Sequence, residues 1–212
     1  RASDETAARK ATTTVAIVHK GGDRAFFTTP GHLQRATPQA LVARIPAAPR
    51  RHATAILSGN LLMPAIRDAT AGILAELGAR GWATAIDPGW PPQGWTPEIR
   101  GLVRGWLPLC GHLLLNEEEA GALGDGIGAA LPEGGVLVVK RGPAGAVARR
   151  ASVEIAVPAP KVEVIDTVGA GDTFNAAYLA ALVAGAPLAE ALARGVAVAS
   201  RAVSTYPRRY VE

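Results

Sequence analysis

An α/β architecture, built on a mainly parallel sheet with helices on both faces, is what these 212 residues predict. Three observations carry that expectation. Short runs of Val, Leu and Ile without polar interruption read as strands buried on both faces. Stretches of helical periodicity lie between them. Several of the apolar runs end in a polar residue or a glycine turn, and in open α/β sheets the carboxyl ends of strands are where ligands bind.

Taken in order, residues 12–18 and 24–29 flank Lys20-Gly21-Gly22-Asp23, the pattern of a hairpin. Residues 53–58 form an apolar strand. A helix over 64–79 follows, with Ile66, Ala69, Ile73, Leu74 and Leu77 on one face. Pro64 suits a first helical position, and Gly78 or Gly81 supplies the stop. The next strand, 82–86, leads to Asp87-Pro88 and a loop rich in Pro, Gly and Trp, then a helix over 97–107. Residues 112–115 deliver Asn116, and residues 136–140 deliver the turn Arg141-Gly142-Pro143-Ala144-Gly145. An antiparallel pair over 146–149 and 153–157 precedes a last alternating strand, 162–165, and two closing helices. No internal repeat or long linker divides the chain, so residues 1–212 read as one domain.

Composition narrows the field. Hydrophobic residues are 49% and charged ones 19%, with a mean hydropathy of +0.17, which fits a globular core and excludes a disordered chain. No apolar run reaches the roughly 18 residues of a membrane span. One cysteine, Cys110, leaves no internal disulfide framework, and a cytoplasmic setting is expected. The pI of about 9.6 raises the question of nucleic acid, but the net charge is only +4 and the arginines are scattered without interleaved aromatics. Solvated charge is the better reading, so neither nucleic acid nor membrane is expected as a partner. His19, His32, His52 and His112 have no zinc-like spacing among themselves or with Cys110. His112, at a strand start, reads as a structural histidine. A P-loop is absent, and Gly124 to Gly128 reads as an ordinary loop.

The most informative stretch is Asp166-Thr167-Val168-Gly169-Ala170-Gly171-Asp172-Thr173-Phe174-Asn175, which follows the 162–165 strand and opens a helix over 172–184. Small residues at 169–171 permit a tight turn and a close approach to a ligand. The helix start presents unpaired N–H groups and the positive end of the helix dipole, which together attract an anion such as phosphate. Asp172 stands beside that site, where its carboxylate could take a proton from an attacking hydroxyl. The bland alternative is that Asp172 complements the dipole and the glycines only turn the chain.

The longer string resembles the C-terminal signature of the ribokinase-like (PfkB) carbohydrate kinases. Asn116-Glu117-Glu118-Glu119-Ala120 is similar to the N-x-x-E segment of that family, and Val138 to Gly145 resembles its strand and glycine turn at the nucleotide phosphates. Asp87-Pro88 resembles a further recurrent strand end. The likeness runs from about residue 12 to 207 and is strongest over 112–182.

The resemblance implies an ATP-dependent phosphotransferase acting on an alcohol group of a sugar or sugar-like small molecule. Asp172 would be the general base, and the N–H groups of Gly169, Ala170, Gly171 and Asp172 the anion hole. Asn116 and Glu119 would hold Mg²⁺ through its waters; Lys140, Gly142 and Gly145 would border the phosphates of ATP, with Asn116 beside them. Residues 158–164 with Val196, Ala197 and Ser200 would flank the adenine. A homodimer is left open, as is a nucleoside or hydroxymethylpyrimidine acceptor. A non-catalytic nucleotide-binding relative is the other class.

Relative to the family, the chain starts late, at Arg1, and ends early, at Glu212. The first sheet strands, the glycine-rich sugar segment and most of the lid have no counterpart, so a fragment or a degenerate relative with little of its substrate site is expected. Phe26 and Phe27 read either as a remnant of a lid strand or as core aromatics.

Overall fold

The computed structural model describes residues 11–18, 24–29, 31–49 and 53–210. Strands β1 (Thr13–Val18) and β2 (Arg24–Thr29) pair antiparallel as a separate two-stranded sheet. The turn expected at 20–23 lies outside the described residues. Phe27 is not a core aromatic: it is 62% exposed on this small sheet.

The main sheet has six strands in sequence order: β3 (Thr54–Ser58), β4 (Ala83–Asp87), β5 (His112–Asn116), β6 (Val136–Lys140), β7 (Ala146–Arg150) and β8 (Val153–Val157). The first four are parallel, and β7 and β8 complete the sheet antiparallel. Helices α1 (Pro38–Val42), α2 (Pro64–Ala79), α3 (Pro97–Trp106) and α4 (Glu117–Leu123) precede β7, and α5 (Ala170–Val183) and α6 (Leu188–Val203) follow β8. None of the helices is long and apolar enough to cross a membrane among the described residues.

Strand geometry explains why both faces are covered. Side chains alternate along a strand, so consecutive leucines serve different cores. Ile86, Leu113, Leu115, Leu137 and Val139 pack with Ile73, Leu74, Leu77 and Val103 of α2 and α3. Ala85, Leu114, Val136 and Val138 face the other way, against Phe174, Tyr178, Leu192 and Val196 of α5 and α6. Helix α2 has the expected bounds, with Pro64 at its first turn and Ile66, Ile73, Leu74 and Leu77 buried. At Gly195 an added Cβ would lie 2.8 Å from the Phe174 ring, so the close approach of α6 to α5 depends on the missing side chain.

Residues 162–165 are a correction: they form no strand. Pro158 and Pro160 upstream lack N–H donors for a ladder, and the segment leaves the edge strand β8 without pairing to it. Ile165 and Asp166 instead donate their N–H groups to Val203 O, at 2.8 and 3.2 Å, at the end of α6. The alternating apolar pattern lies along the surface, with Val162, Val164 and Ile165 all exposed.

His112 is structural, as its position suggested. Its Nδ1 lies 2.9 Å from the Tyr178 hydroxyl, and burial, aided by the Arg150 charge, lowers its pKa to about 4. The unfolded chain therefore takes up this proton first as pH falls. The stability contributed by neutral His112 is complete above about pH 6.5 and is lost as pH falls toward the folded pKa near 4. Chemical denaturation should show a stability slope of up to about 1.4 kcal/mol per pH unit from this group across that window. His112→Asn should remove that component; an unaltered slope would show that the imidazole does not titrate with unfolding.

Candidate active site

The carboxyl ends of β4, β5 and β6 set three polar side chains side by side. Asp87 ends β4, and the β5–β6 register places Asn116 opposite Lys140. Lys140 Nζ lies 2.6 Å from Asp87 Oδ2, and the two side chains are only 14% and 11% exposed. Asn175, 2% exposed, comes across from α5. Its Nδ2 donates to Asp87 Oδ2 at 2.5 Å, and its Oδ1 accepts from Lys140 Nζ at 3.3 Å. Two charges held this far from water need such mutual pairing and additional hydrogen bonds. Sequence reasoning gave no role to Asp87 or Asn175. The spacing of Asn175 three residues after Asp172, which puts both on one side of the helix, is a signal that could have pointed to it.

The glycine turn sits beside this cluster. Gly169, at φ 71°, caps α5 in the left-handed region, which a residue with Cβ adopts only with strain. The helix begins at Ala170, two residues before the expected start, so Asp172 falls within the first turn. Ala170 donates its N–H to Thr167 O at 3.1 Å, which withdraws it from the expected set of four anion donors. Among the described residues, no backbone acceptor faces the N–H groups of Gly169, Gly171 and Asp172. A Cβ on Gly171 would lie 3.4 Å from Lys140 Nζ, so the ammonium stands directly against the turn. An ammonium and the positive end of α5 thus converge at one point, with the exposed Asp172 next to them.

Asn116 and Glu119 come together, but first of all with each other. Asn116 Oδ1 accepts from the Glu119 N–H and Glu119 Oε2 accepts from the Asn116 N–H, both at 2.8 Å. This is a capping box that starts α4. Glu119 is 4% exposed. Burial pushes its carboxyl up, with the Asn116 N–H and Lys140 opposing and the charges of Asp87 and Glu118 adding to the rise. Among the described residues no group of three or more His, Cys, Asp or Glu side chains could hold a bare metal ion. A hydrated Mg²⁺, which keeps several waters and borrows ligands from substrate phosphates, is compatible with one carboxylate left partly free beside the cleft.

In the turn after β6, Arg141 donates to Gly145 O at 2.7 Å. A Cβ at Gly145, φ 90°, would sit 2.0 Å from Val157 O, so the chain's own packing demands this glycine. At Gly142 nothing lies within 4 Å of such a Cβ, and that side of the turn is open.

A cleft of about 640 Å³ gathers these pieces: Asp87, Asn116, Glu119, Lys140, Gly142, Gly145 and the 169–172 turn all line it. Its far wall is Ala159 to Val162 and Val164 with Val196 and Ser200 of α6. Ala197, expected on that wall, instead lines a second groove along α5 and α6. The second groove is larger, about 1200 Å³, but half of its lining residues are alanines and it shares only Asp172 with the smaller cleft. Convergent polar groups mark the smaller cleft as the site.

This arrangement coincides with a family match. Residues 3–208 fit the pfkB family carbohydrate kinase profile, which is nearly the whole chain. The chain belongs to the pfkB carbohydrate kinase family. A 2-dehydro-3-deoxygalactonokinase of Haloferax volcanii is 30% identical over 149 residues, which is 66% of this chain and 47% of that protein. The chain therefore spans about half the length of this curated relative. Among solved structures, a putative ribokinase II from E. coli in complex with ATP and Mg²⁺ superposes with a TM-score of 0.74 at 23% identity. That match covers 93% of this chain and 66% of the other. The Burkholderia thailandensis nucleoside kinase in complex with inosine gives a TM-score of 0.75 at 20% identity, covering 94% and 65%. The ribokinase-like fold is shared with both. A mainly parallel sheet between two helical layers, expected from the strand pattern, is thus the fold of this pfkB chain.

Proposed function

We propose that this chain forms the nucleotide-binding part of an ATP-dependent kinase that phosphorylates an alcohol group of a sugar or sugar-like small molecule. The observation that carries the reading is the convergence of Lys140 and the Asp172 turn at one end of the cleft. Asp172 accepts the proton of the acceptor hydroxyl. The N–H groups of Gly169, Gly171 and Asp172 stabilise charge on the transferring phosphoryl group. Lys140, fixed by Asp87 and Asn175, borders the donor phosphates together with Gly142 and Gly145. Asn116 and Glu119 hold waters of a Mg²⁺ ion, which when bound neutralises phosphate charge. The adenine lies between residues 159–164 and Val196 with Ser200. The name of the Haloferax relative supports a sugar-type acceptor, while the inosine complex keeps nucleosides in the substrate panel.

Two measurements test this. Calorimetry on the 212-residue chain should register weak Mg·ATP binding, and a coupled assay over sugars and nucleosides should register no appreciable turnover. Positioning of the acceptor supplies much of the acceleration in phosphoryl transfer. These residues cover only 66% and 65% of the two solved kinases. Robust sugar turnover would place the acceptor site within this chain. A folded chain that binds no ATP would end the nucleotide assignment.

The metal role has its own test. Glu119→Gln keeps an amide able to close the capping box but removes the charge. It should raise the Mg²⁺ concentration needed to support ATP binding, and Asn116→Ala should do so while also costing about 1 kcal/mol of stability as a lost cap. Identical Mg²⁺ titrations in both variants would leave the pair with a capping role alone.

A further inference from the structure

The segment beyond α6 folds back onto the loop that leads into the glycine turn. Val203 O receives the N–H groups of Ile165 and Asp166. The Thr205 hydroxyl donates to Arg201 O, and a little further on Arg208 donates through Nη2 to Asp166 Oδ2. Arg209 N donates to the same Thr205 hydroxyl at 2.9 Å, which fixes the backbone around Arg208. The other oxygen of the same carboxylate, Asp166 Oδ1, accepts the Val168 N–H at 2.9 Å and so shapes the entry to the turn. Arg208 Nη1 lies 3.4 Å from the position a Cβ on Gly169 would occupy, and Asp172 Oδ2 lies 3.9 Å from the same point. The guanidinium therefore stands against the turn at Gly169, on the side toward which the Asp172 carboxylate also reaches.

As a contribution to stability, a partly exposed ion pair of this kind is worth little. Its placement is what matters. We propose that Arg208 is a positioning residue for phosphoryl binding: a cation built into the chain that holds Asp166, and through it the 166–169 turn, in the form whose N–H groups receive the transferring phosphoryl group. This rests on the kinase reading above. Arginine suits the task because its planar fork engages a carboxylate and still presents a second N–H face. A lysine offers the charge without the fork.

The test compares Arg208→Gln, Arg208→Ala and Arg208→Lys with the parent chain, using ATP and ADP as calorimetric probes and amide hydrogen exchange in the free protein. If the turn serves the transferred group, Arg208→Gln should weaken ATP about tenfold and leave ADP within about twofold. Arg208→Lys should recover part of the loss, and millimolar guanidinium should restore ATP binding to Arg208→Ala. The Val168 amide should exchange faster in Arg208→Gln while amides of α6 keep their protection. Equal losses for ATP and ADP, or ATP binding at the parent's affinity, would overturn the assignment. Should the parent chain itself bind no ATP, the kinase reading falls on its own account. The Val168 amide then decides the rest: faster exchange supports Arg208 as the brace of the turn, and unchanged exchange overturns it.

Discussion

Asp172→Asn, introduced in a form of the protein that carries its acceptor site, is expected to lower kcat by about 10²–10⁴ with ATP affinity nearly unchanged. The substitution keeps the size of the side chain and leaves the backbone N–H of residue 172 in place, so the turn can still receive phosphate. What it removes is the exposed carboxylate that lines the cleft at the start of α5. Lys140 Nζ, adjacent to Gly171, is engaged with Asp87 and Asn175. An Asp172→Asn enzyme that turns over within a few-fold of the parent would reduce Asp172 to a partner of the helix dipole.

Lys140→Met is expected to have the largest effect on stability, about 3–5 kcal/mol, because it strands the Asp87 carboxylate in a place nearly closed to water. For a chain of this length that corresponds to a drop in Tm of roughly 10 °C. The Lys140→Met, Asp87→Leu double variant should regain much of the loss, since it removes both charges together. Thermal unfolding of the two single variants and the double variant measures the coupling. Strictly additive losses would mean that the pair is solvated and that Lys140 is free to serve phosphate without Asp87.

The elements were legible because their signals are local. The face of α2 and the buried strands β5 and β6 stand in the order of their apolar residues, and Pro64 marks its own helix start. The same local logic misled at 162–165. Alternation there is real, but a strand also needs a pairing partner, and this segment donates the N–H groups of Ile165 and Asp166 to the end of α6 instead. The glycine turn was legible as a tight turn opening a helix, although the engagement of Ala170 with Thr167 depends on the turn's three-dimensional form. The Asp87–Lys140–Asn175 cluster was out of reach for another reason. Its hydrogen bonds join residues 53 and 88 positions apart, and nothing in any one segment announces them. Asn116 and Glu119 show the opposite case, in which one N-x-x-E spacing serves both a cap and the proposed metal role.

The alternation of core partners along β5 divides the molecule into two mechanical halves. Leu113 and Leu115 press on the layer of α2 and α3, whereas Leu114 presses on the layer of α5 and α6, from which the glycine turn is suspended. Truncating Leu114 therefore loosens the support under the glycine turn itself, while truncating either neighbour opens a void on the side of α2, α3 and α4, away from that turn. A library that varies one layer at a time would tune the thermal endurance of this fold and the set of its glycine turn as separate adjustments, even though the residues that govern them are adjacent in the chain.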